Sequence, residues 1–297
     1  MITANINFQS LSPNLIVTNK EKKSMKIKRS RLKLYLNNKI RYNLFGDFMF
    51  TDTHCHIYEE YYENIDEIIK NAKENNVNRF INNGCDTTSN KEVLELSQKY
   101  DNMYCALGIH PEKVEEYTES DLKWIENNLS NPKVVAIGEI GLDYHYTKEN
   151  KEDQIKLLES ELKIAETYQL PVIIHSREAT EDTINTLKKF KVNGVIHSFS
   201  GSLETARVYI KKGYLLGVNG VITFKNAKLK EVIKEIPLKN IILETDSPYL
   251  TPEPYRGKRN EPARIYDIAK FICDLKGISL EELTRITNDN IKRIFDI

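Results

Sequence analysis

The stretch VVAIGEIGLDYHYTKENKEDQIKLLESELKIAETYQLPVIIH, Val134–His175, sets two short apolar runs around a long charged one. The outer runs are rich in β-branched residues and short enough to be buried strands. In the middle run Ile155, Leu158 and Leu162 recur at helical spacing between Lys, Glu and Gln, which predicts a helix over 154–168. The unit therefore reads as strand 134–140, helix 154–168, strand 171–175. Working outward, the same alternation predicts further strands at 50–57, 79–84, 103–109, 194–198, 214–219 and 241–245. Helices are predicted at 64–76 and 203–213, the latter stopping on Lys-Lys-Gly. Eight strands separated by helical segments in about 240 residues match the number and length of a single-domain (β/α)8 barrel. A doubly wound sheet would need fewer strands or a second domain. No internal repeat or low-complexity tract interrupts this body.

The bulk composition is that of an ordinary globular chain, with 297 residues, 40% hydrophobic and 29% charged. No run approaches the roughly 18 consecutive apolar residues of a membrane span. The four cysteines, Cys55, Cys85, Cys105 and Cys273, show no paired spacing. Cys85 and Cys105 fall in strand-like runs and read as free, buried thiols, in keeping with a reducing compartment. The net charge of zero hides an asymmetry. Residues 1–48 hold ten Lys/Arg against two acids, leaving 33 basic and 41 acidic residues beyond them, so a +8 head precedes a −8 body. Nucleic acid would then have to be gripped by a local patch. The head reads best as a basic extension that is disordered or not part of the mature protein, with the working chain starting at Met49. A nucleic-acid or membrane-touching arm and an organelle-targeting segment are the other readings. The expected location is the cytoplasm, with no membrane association and no obligate protein partner.

The chemistry begins in FTDTHCHI, Phe50–Ile57, where Asp52, His54 and His56 alternate along a strand and share one face. His110 follows the third predicted strand, Glu139 lies in the fourth with Asp143 beyond it, and His175, His197 and Asp246 end the fifth, sixth and eighth. Any one histidine at a strand end is more often a satisfied structural residue, and TDSP alone is an ordinary turn. Four histidines and two carboxylates at the exits of five strands are costly to desolvate together without a cation. In a barrel those exits are where chemistry is built. Imidazole with carboxylate is the ligand set of Zn, Mn, Fe and related divalent ions. Six ligands exceed the needs of one tetrahedral ion, so two ions sharing Glu139 use the set better. Ser176, Ser198 and Ser200 adjoin histidines better used as ligands, and neither a Walker loop nor GxGxxG occurs.

TDTHCHI, ALGIHP, AIGEIGLDY, PVIIHSREA, HSFSGS and ILETDSPYLTPEPYRGKRNEP, in this order, resemble the TatD family of metal-dependent deoxyribonucleases. That family lies in the amidohydrolase-like TIM-barrel superfamily, and the resemblance covers 50–297. It implies two divalent ions (Mg, Mn or Zn), with His54, His56 and Asp246 holding one, His175 and His197 the other, and Glu139 bridging. It also implies that Asp246 accepts the proton of the attacking water and that His110 donates to a phosphoryl oxygen. Arg177, Arg256 and Arg259 are expected to meet substrate phosphates. Asp52, one step deeper than the histidines, is expected to orient one of them. Asn290 and Arg293 read as capping and packing residues of the closing helix.

The implied activity is trimming of single-stranded or frayed DNA from a 3′ end, with DNA as substrate and partner. Hydrolysis of a small-molecule C–N or C–O bond on the same barrel is the alternative. Many relatives of that kind hold their metals with a carboxylated lysine on the fourth strand, where this chain has Glu139. A non-catalytic binding protein is the remote third reading.

Overall fold

The computed structural model describes residues 49–297, so the readings of the basic segment 1–48 lie outside the described residues. Eight parallel strands follow one another around a single sheet. They are β1 (Phe50–Cys55), β2 (Val77–Asn83), β3 (Met103–Leu107), β4 (Val134–Asp143), β5 (Val172–Arg177), β6 (Gly194–Ile196), β7 (Leu215–Val218) and β8 (Ile241–Leu243). The ring closes where Cys55 bridges Ser247 in parallel, with Asp246 N donating to His54 O at 2.9 Å and His56 N to Ser247 O at 2.8 Å. This is a (β/α)8 barrel.

The helices are α1 (Ile65–Glu74), α2 (Thr87–Lys99), α3 (Glu119–Asn128), α4 (Lys151–Tyr168), α5 (Thr180–Leu187), α6 (Leu203–Lys211), α7 (Leu229–Glu235), α8 (Ile265–Lys276) and α9 (Leu280–Phe295). They start where local chemistry caps them: the Asn64 and Ser279 side chains accept from the amides of Glu67 and Glu282. Two departures from the sequence reading matter. After β7 the chain makes a 3-10 turn, Gly220–Thr223, before α7, and after β8 it runs through a long loop to α8. Strand β4 continues past 140 to Asp143, pairing Gly141, Leu142 and Asp143 with His175, Ser176 and Arg177. Gly141 permits this, since its φ is +152° and a Cβ there would stand 1.9 Å from His175 O.

Parity along the strands separates two apolar layers. Ile81, Ala106, Ala136, Ile173, Val195, Leu215 and Ile242 form one buried ring, closed from below by Ile291 and Phe295 of α9. Their strand neighbours, such as Val172, Ile174, Ile241 and Leu243, join the larger cluster under the helices. A period of two therefore carries His175 above Ile173, and Glu244 and Asp246 above Ile242, into the mouth of the barrel. Asn290 seals the opposite end by donating to Leu238 O and Ile241 O, and Arg293 donates to Lys239 O. Both are structural, as the sequence implies. No helix among the described residues is long and apolar enough to cross a membrane.

Candidate metal centre

The polar residues at the strand exits converge on Glu139, which is buried in β4. Its Oε2 lies 3.2 Å from His54 Nε2 and 3.5 Å from His56 Nε2. Those nitrogens are 3.1 Å apart, and Asp246 Oδ1 stands 3.7 Å and 3.5 Å from them. A tetrahedral ion with ligand bonds of ~2.0–2.1 Å needs donors about 3.3 Å apart. The donors of His54, His56 and Asp246 thus frame a hole of the right size and chemistry for a divalent cation, with Glu139 Oε2 beside the two histidines.

The other carboxylate oxygen, Oε1, looks toward different histidines. His175 Nδ1 is 2.9 Å away, His110 Nε2 3.7 Å and His197 Nε2 3.8 Å. His175 and His197 were expected to share the second ion. Among the described residues, no compact donor group contains both. His197 stacks on His54, ring centroids 3.5 Å apart, and faces Asp246 Oδ1 at 3.6 Å, while His175 lies beside His110. One donor group is therefore His54, His56 and Asp246, and others are His54, Glu139 and His197, and His110, Glu139 and His175. The 2.9 Å contact of His175 with Glu139 is a hydrogen bond rather than an ion-sized gap.

Electrostatics follow from this crowding. Burial alone would raise Glu139, but His54, His197 and His110 outweigh it and hold the carboxyl well below its usual range. Asp246 is likewise lowered, the adjoining histidines overcoming burial. Burial and the neighbouring His175 push His110 down to about 3. Its Nδ1 accepts from the Glu112 amide at 3.3 Å, which leaves the proton on Nε2, facing Glu139. Burial would depress His175 too, but its bonds to Asp143 and Glu139 carry it up to about 10.

Several residues that the sequence reading did not assign hold these groups in place. Asp143 Oδ2 binds His175 Nε2 at 2.9 Å, and fully buried Glu244 sits 3.1 Å from His197 Nδ1. Its even spacing from Asp246 was the available signal. His56 Nδ1 faces the Asn83 carbonyl at 3.1 Å, which turns Nε2 toward the hole. Cys85 is half-buried in the cleft rather than in the core, its Sγ 3.8 Å from His56 Nδ1 and 3.9 Å from Glu139 Oε2. Three amide side chains brace the rim, each taking one residue's N–H and giving to its C=O. Asn82 brackets Ile57, Asn90 brackets Gly108, and Gln154 brackets Asp143. Ser198, Asp246 and Glu178, just beyond three strands, have positive φ of 47°, 56° and 55°. Such strain, of order 1–3 kcal/mol per residue, clusters at working sites.

Asp52 departs from its expected part. Its carboxylate touches neither imidazole. It accepts from the amides of His54 at 3.3 Å and Thr245 at 2.9 Å and binds the Thr245 hydroxyl at 2.5 Å, tying β1 to the exit of β8. The arginines also sort differently. A cleft of 790 Å3 opens over the centre, and Arg177 lines it while Arg256 and Arg259 do not. Arg256 stacks on Phe224 at 3.9 Å, and Arg259 donates to Tyr61 O beside the Tyr62 ring. Both brace loops. His145 pairs with Glu178 at 2.7 Å outside the cluster.

Known proteins resemble this chain along its described length. Residues 51–296 match the family described as TatD related DNase. An uncharacterized metal-dependent hydrolase of Bacillus subtilis, YabD, is 43% identical over 254 residues, which is 84% of this chain and all of that protein. The crystal structure of YjjV, a TatD homolog from Escherichia coli, superposes with a TM-score of 0.79 at 32% identity, covering 84% of this chain and 98% of that one. A TatD family hydrolase from Entamoeba histolytica superposes with a TM-score of 0.74 at 26% identity, covering 83% and 98%.

Proposed function

The chain belongs to the TatD family of metal-dependent hydrolases, and we propose that it is a phosphodiester hydrolase that trims single-stranded or frayed DNA from the 3′ end. The observation that carries this reading is Glu139, whose two oxygens face separate histidine groups within one cleft. A carboxylate so placed suits a pair of divalent ions, Mg, Mn or Zn. His54, His56, Glu139 and Asp246 would hold one, and Glu139 with His175, His197 or both would hold the other. When bound, such ions make water acidic near neutral pH and polarise both the attacked and the leaving phosphoryl oxygens.

The protein's own groups complete the chemistry. Asp246 is ionised and reaches toward both His56 and His197, so it can take the proton of the attacking water. His110 is neutral with its proton on Nε2, so it can donate a hydrogen bond to a phosphoryl oxygen without first losing a charge. Arg177, at the cleft wall, is the arginine placed to take a second phosphate oxygen. A second reading, cleavage of a small-molecule ester or amide, draws on the carboxylates Glu60, Asp86, Glu92 and Glu112 along the cleft, which would repel a long polyanion.

Purified protein assayed on single-stranded oligonucleotides with Mg, Mn or Zn tests the proposal. Release of nucleotides that stops with EDTA and with Asp246→Ala is expected. Turnover of a lactone or cyclic amide without any nucleotide release would replace it with the second reading.

A further inference from the structure

A DNA-trimming enzyme with an acidic cleft must find its binding energy somewhere other than the phosphates. Outside the metal group the cleft is lined by Glu60, Asp86, Glu92, Glu112 and Asp143 against only Lys113 and Arg177. Stacking on bases is the other large source of single-strand affinity, and it is indifferent to this charge.

The cleft offers exposed aromatic faces. Among the described residues four large apolar side chains are exposed, and two of them, Tyr146 at 73% and Tyr249 at 51%, line this one cleft. Tyr249 is held for the purpose. Its N–H donates to Asp246 O at 2.8 Å, its carbonyl accepts from Asn260 Nδ2 at 2.6 Å, and its hydroxyl donates to Tyr61 OH at 3.0 Å. The Tyr61 ring stacks in turn on Tyr58 at 5.4 Å, so a graded aromatic wall runs outward from the metal centre. The Tyr249 ring lies 6.4 Å from the imidazole of His56, centroid to centroid, which sets it beside the metal centre. On the opposite lip Tyr146 stands under the Arg177 guanidinium at 5.3 Å.

We infer that the ring of Tyr249, braced edge-on by Tyr61 at 6.0 Å, is a stacking platform for the base of the terminal nucleotide, whose phosphate lies at the metal centre. The platform rests on the nuclease reading above and assigns the base its contact. It makes the enzyme selective for an unpaired end, because a paired base keeps its faces within the helix. It also makes it tolerant of sequence, because every base has a π-face.

The test compares single-stranded oligonucleotides that end in a natural nucleotide with the same strands ending in an abasic one, with Mg or Mn present. Wild type should prefer the base-bearing end by about five- to a hundredfold in kcat/KM. In Tyr249→Ala that preference should collapse toward onefold through a raised KM, while Tyr249→Phe, which keeps the ring, should retain most of it. A terminal 2-aminopurine, on a strand whose last linkage is a non-hydrolysable phosphonate, should be quenched on binding to the metal-loaded wild type and not to metal-loaded Tyr249→Ala. Equal cleavage of both ends by wild type, or a preference that survives Tyr249→Ala, would overturn the platform while leaving the nuclease intact. Cleavage of neither strand with either metal would overturn the nuclease reading, and the platform with it.

Discussion

A Cβ on Gly217 would stand 2.2 Å from Glu244 Oε2, so a glycine in β7 leaves the space that this buried carboxylate occupies beside His197. Glu244 is anchored from the other side by the Ser198 amide at 2.7 Å. Gly217→Ala must therefore displace Glu244 or strain the barrel, at a cost of about 1–3 kcal/mol. If Glu244 orients His197, metal affinity should also fall by roughly 10–100-fold. Competition with a chromogenic chelator reads this directly, and an unchanged affinity would detach Glu244 from the metal centre.

Glu139 faces every histidine group, whereas His175 contacts only one side of it. Metal at a hundredfold excess over Kd should stabilise the native protein by about 2.7 kcal/mol. For a barrel of this size that is roughly 5–10 °C in Tm. The shift should vanish in Glu139→Gln and persist in His175→Ala, because the donor group of His54, His56 and Asp246, with Glu139 beside it, does not include His175. Loss of the whole shift in His175→Ala would show that the two positions fill as a unit.

Much of this site was legible because strand periodicity is a short-range signal. His54, His56, Glu139, His175, His197 and Asp246 lie at strand exits, and a barrel brings such exits together wherever they stand in the chain. What was hidden depends on contacts across the sequence. Asn82, Asn90 and Gln154 are ordinary polar residues until they are seen gripping Ile57, Gly108 and Asp143, which lie 25, 18 and 11 positions away. Arg256 and Arg259 sit in a motif rich in charge, yet aromatic partners hold them away from the cleft. Asp143 was expected beyond the fourth strand, yet Gly141 lets β4 run on through it to meet β5.

Asn260 ties the loop after β8 to the rim. It is fully buried, and its Nδ2 donates to Thr245 O at 3.0 Å and Tyr249 O at 2.6 Å, bracketing Asp246. Asn260→Ala leaves two carbonyls without their donor and should cost about 2–4 kcal/mol by urea unfolding. Turnover should fall as well, since Asp246 and Tyr249 lose their support. Asn260→Asp, which sets an acceptor against those carbonyls, should be no better than alanine. Wild-type stability in the aspartate variant would mean that the donor is not what the loop needs.

Glu161 of α4 shows how a buried acid writes itself into the pH profile. Its Oε1 accepts from the Ile109 amide at 2.7 Å, next to His110, while Oε2 has no partner. Burial pushes its pKa well above the usual value, the single amide bond failing to offset it. The folded protein therefore holds a proton that the unfolded chain releases near pH 4.3. Stability from this group is fully present below that pH and is lost as pH rises toward the folded value, by at most about 1.4 kcal/mol per pH unit. Glu161→Gln copies the protonated shape, keeps an acceptor for Ile109 and has no proton to lose. Relative to wild type it should gain stability as pH rises from the unfolded value toward the folded one, and the two should converge below pH 4.5. Taking the difference between the two proteins cancels the titration of the histidine cluster, which both share. Urea unfolding at pH 5, 7 and 9 gives the slope, and a difference that does not change with pH would mean that Glu161 is ionised in the fold.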